Sequence, residues 1–226
     1  MTLPTILFVV LAASGVLMVV LHFLYASSAT DAAKIYPKKP KRLSWDRIAR
    51  NVVPNTIFSG AITVAATLGL RTWLVDESPV DLTALEIIAD VVATLLLYDF
   101  LYYFMHRFLF HEWKLLRKVH VVHHTNKQPT AFESLYVHPV ENAMGLGLLM
   151  ICTLIVGPVS LPAFAVILAV YSFLNLVIHS GLSFERIGLR AFGYMARKHA
   201  RHHSSMRAGN YASITPLPDL LFDTHE

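Results

Sequence analysis

Residues 142–179 read NAMGLGLLMICTLIVGPVSLPAFAVILAVYSFLNLVIH, an apolar stretch broken by Gly157-Pro158 and by Pro162. A transmembrane helix needs about 20 predominantly apolar residues, so this stretch is too long for one span and slightly short for two full ones. Backbone groups in the bilayer core must be satisfied internally, which favours helices there. The stretch therefore predicts a helical hairpin that crosses the bilayer and returns, or a re-entrant pair.

The composition of the whole chain is that of a membrane protein. Of the 226 residues, 55% are hydrophobic and 15% are charged, whereas a soluble domain carries about 25% charged residues. The mean hydropathy is +0.52. The formal net charge of +4 could suggest nucleic acid, but no nucleic-acid-binding module is recognisable. The single cysteine, Cys152, excludes an intrachain disulfide and a cysteine-ligated iron–sulfur cluster.

Further apolar runs precede the hairpin. They predict spans over Leu3–Tyr25, about Asn51–Val75 and about Thr83–Phe104. The first run is interpreted as an uncleaved anchor with its N-terminus outside, because lysines and arginines follow it instead of preceding it as in a signal peptide. The sequence thus predicts an all-α integral membrane protein with about four to five membrane-embedded helices.

The basic residues predict the orientation of these spans. Of the 19 lysines and arginines, seven lie in Lys34–Arg50, five in Arg107–Lys127 and six in Arg186–Arg207. If the first three spans cross and the hairpin returns, these regions share one side of the membrane. The positive-inside rule makes that side cytosolic. The compact chain, which has no dilysine ending, favours a bacterial inner membrane over the endoplasmic reticulum.

Ten of the 12 histidines lie beside the predicted spans at regular spacings. They read His106-x4-His111, His120-x2-His123-His124, a single His138, a single His179, and His199-x2-His202-His203. Positions i, i+3 and i+4 share one face of a helix, so each H-x-x-H-H is expected to present three imidazoles together. His106 and His111 lie about 140° apart on an ideal helix. They can share a centre only across a helix end or bend, or else they bind different ions.

This many histidines indicates a metal centre, since neutral imidazole is the commonest metal ligand among side chains. A structural zinc takes four ligands and a catalytic zinc three, so ten histidines are too many for one ion. Two ions with five nitrogens each would leave coordination positions open. Imidazole suits iron, zinc, copper or nickel, and the residues alone do not choose among them. Two adjacent redox-active irons could activate dioxygen and attack an unactivated C–H bond, and the membrane setting suggests a lipid.

The motifs resemble the fatty acid hydroxylase/sterol desaturase superfamily over roughly Tyr98–Thr224. The resemblance is carried by HRFLFH (106–111), HVVHH (120–124), YVHPVE (136–141), IHSG (178–181), HARHH (199–203), NY (210–211) and DLLFDT (219–224). The family usually ends in D-x-L-F-G-T, so Asp223 stands where glycine is usual. We expect this departure to alter the local turn and to leave the metal site intact.

The resemblance implies a membrane base of about four helices that carries a cytosolic, histidine-rich di-metal cap. It implies two iron ions, for which zinc can substitute in isolated protein, and dioxygen as co-substrate. The implied metal ligands are His106, His111, His120, His123, His124, His138, His179, His199, His202 and His203. All of these except His138 and His179 are also predicted to be catalytic. Residues 98–226 then form the catalytic region, including the hairpin at about 142–179, and residues 1–97 form an N-terminal anchor region with a basic cytosolic loop.

Carboxylates are predicted to orient the ligating histidines, since a metal-bound imidazole usually donates its other N–H to a carboxylate or carbonyl. Asp99 lies two turns before His106 on roughly the same helix face, and an ionisable residue at that depth is a functional candidate. Glu141 and Asp219 are predicted to act in the same way. Further candidates are Glu133 and Asp223.

Substrate-binding residues are not identified by pattern. Tyr98, Tyr102 and Tyr103 could line a substrate channel, but an interfacial aromatic belt is the preferred interpretation. Fatty acyl, sterol, carotenoid and aminolipid substrates all stay open.

The predicted function is a membrane-bound di-iron, O2-dependent lipid hydroxylase that inserts oxygen into an unactivated C–H bond of a fatty acyl or sterol-like lipid. The alternative is a lipid or sterol desaturase on the same site, and a third possibility is a non-enzymatic metal-binding membrane protein. A metal transporter is disfavoured, because its ligands would lie near the bilayer midplane. The predicted partners are the lipid and an external electron donor, a ferredoxin or a cytochrome b5-like protein with its reductase. No nucleic-acid partner is expected, and the oligomeric state is open.

Overall fold

A computed structural model describes residues 2–36, 43–78, 82–185 and 188–226. The helices are α1 (Leu3–Ala26), α2 (Trp45–Gly69), α3 (Arg71–Leu74), α4 (Ala84–Phe104), α5 (Lys114–His120), α6 (Pro139–Val156), α7 (Leu161–Ile178), α8 (Arg190–Ser204) and α9 (Leu217–Leu221). A π-helix spans Met105–Glu112, and 3-10 helices span Ser28–Ala33, His123–Thr125 and Ala131–Leu135. The short strands β1 (Val75–Asp76) and β2 (Val159–Ser160) pair in parallel. The predicted all-α class is confirmed.

Among the described residues, four helices are long and apolar enough to cross a membrane: α1, α2, α6 and α7. The two helices of the hairpin have 18 residues each. At about 1.5 Å per residue each is roughly 27 Å long, close to the roughly 30 Å of a hydrocarbon core. Gly157, at φ +114°, makes the turn between them. The hairpin is therefore long enough to cross and return.

The third predicted span forms as α4 but is not among those four helices. It carries Glu86, Asp90 and Asp99, and it begins with a capping box in which Thr83 and Glu86 bond each other's backbone N–H. Helix α4 packs against both helices of the hairpin. In the described residues, four candidate membrane-crossing helices are thus accompanied by a fifth long helix, α4, which packs against the hairpin.

The helices alternate in direction between two ends of the molecule. Leu3, at the start of α1, packs in one apolar cluster with Val75 and Val159. Tyr25, near the end of α1, packs in another cluster with Ala200 of the last histidine motif. Helices α1, α4 and α7 therefore run towards the histidines, while α2 and α6 run away from them. The described basic residues of all three basic regions consequently lie towards the histidine end.

Parts of two predicted basic regions lie outside the described residues: residues 37–42 of Lys34–Arg50 and Arg186 of Arg186–Arg207. Residues 79–81, between the second and third predicted spans, also lie outside them. Helix α2 begins at Trp45, earlier than predicted, so that Pro54 lies inside it. Asp46 in its first turn complements the helix dipole.

The segment after α1 is fastened to the segment after α7. The backbone N–H of Ile35 donates to the carbonyl of Gly181 at 2.9 Å, and that of Ser183 donates to Ala33 at 2.7 Å. This antiparallel contact holds the chain immediately beyond His179 in place. The segment after α1 therefore bonds to the chain two and four residues beyond a predicted metal ligand.

Candidate metal centre

Nine of the ten predicted ligands converge in the described chain, in two groups. The five-histidine group comprises His106, His111, His120, His124 and His202, and the four-histidine group comprises His123, His179, His199 and His203. Within each group one ring nitrogen per residue lies within 4.8 Å of all the others. All nine side chains are buried. Two centres with five and four imidazoles replace the predicted five and five.

Each H-x-x-H-H motif divides its histidines between the two groups. His120 and His124 enter the five-histidine group, while His123 enters the four-histidine group. The second motif does the reverse, since only its middle member, His202, enters the five-histidine group. In α8, residues i+3 and i+4 point about 100° apart, on either side of residue i. In the first motif α5 ends at His120, and His123 and His124 lie in a following 3-10 helix. The expectation that each motif presents three imidazoles to one site is therefore corrected.

A π-helix resolves the spacing of the first motif. His106 and His111 both lie in the π-helix, and their ring centroids are 5.0 Å apart. A π-helix hydrogen-bonds from residue i to i+5, so residues five apart lie on nearly the same face. The two histidines thus share one group without a helix end between them.

Backbone carbonyls orient three members of the five-histidine group. The Nδ1–carbonyl distances are 2.7 Å for His106 to Tyr211, 3.0 Å for His111 to Met206 and 2.8 Å for His202 to Gly209. A carbonyl oxygen can only accept, so each Nδ1 carries the proton. Each Nε2 is consequently unprotonated, and its lone pair points into the group.

These inward lone pairs fit a bound cation. The Nε2 atom of His120 lies 3.0 Å from that of His106 and 3.0 Å from that of His124. The buried Nε2 of His111 has no hydrogen-bond partner among the described residues. Unprotonated nitrogens this close repel each other unless a positive charge lies among them. The donor set, imidazole nitrogen alone, is one that iron, zinc or copper accepts.

In the four-histidine group a backbone carbonyl likewise orients one imidazole, and ring nitrogens face one another. His179 donates from Nδ1 to the carbonyl of Asn175 at 2.7 Å. Its Nε2 lies 3.1 Å from that of His123 and 2.8 Å from that of His199. His203 and His124 stack with ring centroids 4.7 Å apart, so the two groups are adjacent.

Burial keeps the imidazoles in the form that binds metal. Removal from water lowers the pKa of His111 to about 4 and the pKa of His120 and of His123 to about 3. A metal ligand must be a neutral imidazole. These side chains are therefore ready to coordinate at neutral pH.

One predicted carboxylate contacts a histidine directly. The Oε1 atom of Glu141 lies 2.8 Å from Nδ1 of His120. The neutral imidazole donates its Nδ1 proton to this carboxylate, which leaves Nε2 of His120 free to face the group.

Asp99 and Asp219 hold a loop instead of a histidine. The backbone N–H groups of residues 213–215 donate to Asp99 at 3.0, 2.8 and 2.8 Å. The N–H groups of Tyr211 and Ala212 donate to Asp219 at 2.7 and 3.0 Å. The predicted direct contact of these carboxylates with ligands is thus replaced by an indirect one. They fix the loop whose carbonyls orient His106 and His202.

Sequence reasoning missed Lys198 in this network. Its buried Nζ lies 2.6 Å from Oδ2 of Asp219 and donates to the carbonyl of Ala212 at 2.6 Å. In the sequence, a lysine beside His199 in a basic stretch is typical of a solvated side chain. The carbonyl acceptors were missed as well, because any residue type supplies one.

The structure places His138 apart from both groups. It is the N-cap of α6, and its Nδ1 accepts the backbone N–H of Val140 at 3.2 Å. Glu133 accepts from Asn126 and Thr130 at 2.8 and 2.6 Å, and none of the hydrogen bonds of the described residues joins it to a histidine. Neither residue is a member of the two histidine groups.

Asp223 adopts a backbone conformation that explains glycine at this position in the family. Its φ is +52°, in the left-handed region where glycine carries no steric penalty and aspartate is among the few tolerated alternatives. Within this turn, the N–H of Thr224 donates to the carbonyl of Asp219 at 2.9 Å. Aspartate is therefore compatible with this left-handed turn, and the expected alteration of the turn stays a prediction.

A cavity of about 80 Å³ lies against the four-histidine group. His123, His179 and His199 line it, together with Tyr98 and Tyr102. Tyr98 is 1% exposed. Tyr98 and Tyr102 thus line this cavity, which is the channel alternative of the sequence analysis, and the full burial of Tyr98 does not fit an interfacial belt.

Comparison with known proteins agrees with this site. Residues 91–224 match the family model described as fatty acid hydroxylase. The chain belongs to the fatty acid hydroxylase family. The resemblance predicted from the motifs is thereby confirmed. The family match contains every member of the two histidine groups and excludes α1 and α2.

Several curated proteins are similar to the family region. Methylsterol monooxygenase 1 of Rattus norvegicus is 32% identical over 136 residues, 56% of this chain and 43% of that protein. Methylsterol monooxygenase 2-1 of Arabidopsis thaliana is 28% identical over 156 residues, 60% of this chain and 55% of that protein. Protein CER1-like 2 of Arabidopsis thaliana is 31% identical over 139 residues, 56% of this chain and 22% of that protein. The chain thus spans about half or less of these relatives, and no solved structure matches it.

Proposed function

We propose that this chain is a membrane-bound, O2-dependent lipid hydroxylase that holds two iron ions in its two histidine groups. One observation supports this above all: nine buried imidazoles form adjacent groups of five and four around inward-facing nitrogens. Relatives named methylsterol monooxygenases favour oxygen insertion into a sterol-like or other lipid.

Iron is proposed because the reaction needs a redox metal. Imidazole nitrogens accept zinc as readily, so zinc is expected to replace iron in isolated protein. Bound iron would supply the activation of dioxygen and the oxidation of an unactivated C–H bond. The proposed ligands are the nine grouped histidines, without His138.

The protein's own residues orient the ligands and exclude water. The carbonyls of Tyr211, Met206 and Gly209 fix the tautomers of three imidazoles. Glu141 does the same for His120. Because every ligand is buried, water reaches the centre poorly, which strengthens electrostatic interactions inside it.

The four-histidine group is the proposed place of reaction. It has one imidazole fewer than its neighbour, and three of its members line the adjoining cavity. A substrate carbon in that cavity would lie against these histidines, between them and Tyr98 or Tyr102. The five-histidine group would then hold the second ion.

An external electron donor is proposed to dock at the histidine end. Exposed basic side chains there include Lys114, Arg117, Lys118 and Arg201. They would attract an acidic ferredoxin or cytochrome b5-like protein, and the positive-inside rule would place this end in the cytosol. Turnover with such a donor should fall as ionic strength rises.

The function is tested by mass spectrometry of total lipids from cells that express the wild type, His123→Ala or His138→Ala together with a compatible donor. A lipid that gains one oxygen in the wild type and His138→Ala, but not in His123→Ala, identifies a hydroxylase and its substrate. A lipid that loses two hydrogens identifies a desaturase. Identical lipids in all three strains, with iron bound to the wild type, would reject the oxidase and favour a non-enzymatic metal protein.

A further inference from the structure

A second cavity, of about 160 Å³, lies between the membrane-crossing helices. Its walls include Leu11 and Met18 at the middle of α1, and Thr56 and Gly60 at the middle of α2. Helices α6 and α7 close the other side. A cavity of about 150 Å³ with an apolar lining is large enough to bind benzene. The space therefore accepts a ring or a short length of chain, between the middle of α1 and α2 and the histidine-side halves of α6 and α7.

The second cavity adjoins the cavity at the four-histidine group. The same four side chains line both: Leu135, Asn142, Tyr171 and Asn175. The amide of Asn142 donates to Oγ of Ser59 and ties α6 to α2. The carbonyl of Asn175 accepts the Nδ1 proton of His179. The junction between the cavities thus includes a residue, Asn175, whose backbone carbonyl orients the proposed metal ligand His179.

The lining of the second cavity is effectively apolar. Its described lining residues include no lysine, arginine, aspartate or glutamate. Three of its hydroxyls bond within their own helices: Ser14 donates to the carbonyl of Val10 at 2.8 Å, Thr56 to that of Val52 at 2.8 Å, and Ser59 to that of Asn55 at 2.7 Å. A charged head group would lose its hydration there without a partner, which is costly. The side-chain amides of Asn142 and Asn175 at the junction can hydrogen-bond to one neutral polar substituent.

We propose that a lipid without a charged head group enters sideways from the bilayer between α1 and α2. Its apolar body occupies the second cavity while its reacting carbon reaches the first, an assignment that rests on the proposed oxygenase function. The α1 and α2 walls lie before residue 91, where the family match begins. Substrate selection is therefore encoded in the N-terminal helices, apart from the histidine motifs that hold the metal.

Two glycines make this proposal testable. Gly15 and Gly60 line the second cavity, and a Cβ atom added at either would meet nothing within 4 Å. A larger side chain can therefore start at either position without a clash at its Cβ, and a leucine there would narrow the cavity. Gly147 in α6 has the same open surroundings but lines neither cavity. Gly147→Leu is the matched control.

The experiment is photolabelling of the full-length, iron-loaded protein in phosphatidylcholine nanodiscs. The probes are a diazirine-bearing sterol, a diazirine-bearing long-chain alcohol, and a phosphatidylcholine with the diazirine on its acyl chain. We expect the sterol or the alcohol to label residues 11–18 and 56–63. Gly60→Leu should lower that labelling about tenfold or more, and Gly147→Leu should leave it within about twofold.

Unchanged labelling in an iron-loaded Gly60→Leu variant would overturn the proposal, as would labelling by phosphatidylcholine as strong as that by the uncharged probes. Gly15→Leu tests the opposite wall independently, so a folding defect in one variant does not decide the result. If the proposed oxygenase function is wrong, the experiments give a different result. A wild type that takes up the uncharged probes but oxidises no lipid would reject the catalytic function and leave the cavity assignment standing.

Discussion

The Nδ1 atom of His120 and the Oε1 atom of Glu141 lie 2.8 Å apart across 21 residues of chain. The contact joins the end of α5 to the first turn of α6, and Glu141 is 8% exposed. One helix of the membrane hairpin is thus bonded directly to a proposed metal ligand. The position of the hairpin and the geometry of the five-histidine group therefore depend on each other.

Glu141→Ala should weaken metal binding about 10- to 100-fold, because it removes the acceptor that fixes the His120 ring. Glu141→Gln should lose less, since its amide oxygen can still accept the Nδ1 proton. The measurement is iron retained per chain against increasing chelator. Glu112→Gln, at an exposed position in the π-helix, is the control. Equal retention by Glu141→Ala and the wild type would show that the contact does not support the metal.

His138→Ala should keep both metal ions and lose only the N-cap of α6, about 0.5–2 kcal/mol of stability. His124→Ala, by contrast, should lose metal, because its Nε2 faces both His120 and His202 at 3.0 and 3.1 Å. Iron content and thermal unfolding of the two variants separate a helix cap from a ligand. Loss of iron from His138→Ala would instead show that His138 is a metal ligand, as the sequence predicted.

Gly209→Ala should disturb the five-histidine group through the backbone. An added Cβ would lie 2.1 Å from the carbonyl oxygen of Thr224, so the loop must move. That movement would displace the Gly209 carbonyl, which accepts the Nδ1 proton of His202. We expect a loss of about 1–3 kcal/mol in unfolding free energy together with a lower iron content. Gly147→Ala, which meets open space, is the control and should lose neither.

Asp223→Gly should leave stability nearly unchanged, because both residues tolerate the left-handed backbone found there. Asp223→Val should lose about 1 kcal/mol or more, since a β-branched residue rarely adopts positive φ. Thermal unfolding of the two variants tests the account. A Val variant as stable as the wild type would show that the turn relaxes to negative φ at little cost.

Lys198→Met should destabilise the protein by about 3–5 kcal/mol, because it leaves the buried carboxylate of Asp219 without its cation. Asp219→Asn in the same chain should recover part of this loss by removing the negative charge. A double-mutant cycle in denaturant measures the coupling. Additive single effects would mean that the two charges do not stabilise each other.

Much of the architecture follows from local pattern. The apolar run that begins at Leu3 predicts α1 almost to the residue, and the 142–179 stretch predicts both helices of the hairpin. Apolar length and composition suffice here, because a bilayer imposes the same length on every span. The ordered histidine motifs were equally sufficient for the family, since they lie within one continuous region of the chain.

The sequence by itself determined the membrane helices, the presence of a histidine cluster and the family, because each is a property of short segments. Tertiary structure alone decided which histidine joins which group. His123 and His124 are neighbours in the chain but face different groups. His179 joins the group of His123, the π-helix histidines join that of His124, and α8 supplies ligands to both. Tertiary structure also decided that Glu141 supports a ligand while His138 caps a helix. Such roles depend on the direction of a side chain towards distant segments, which local spacing does not specify.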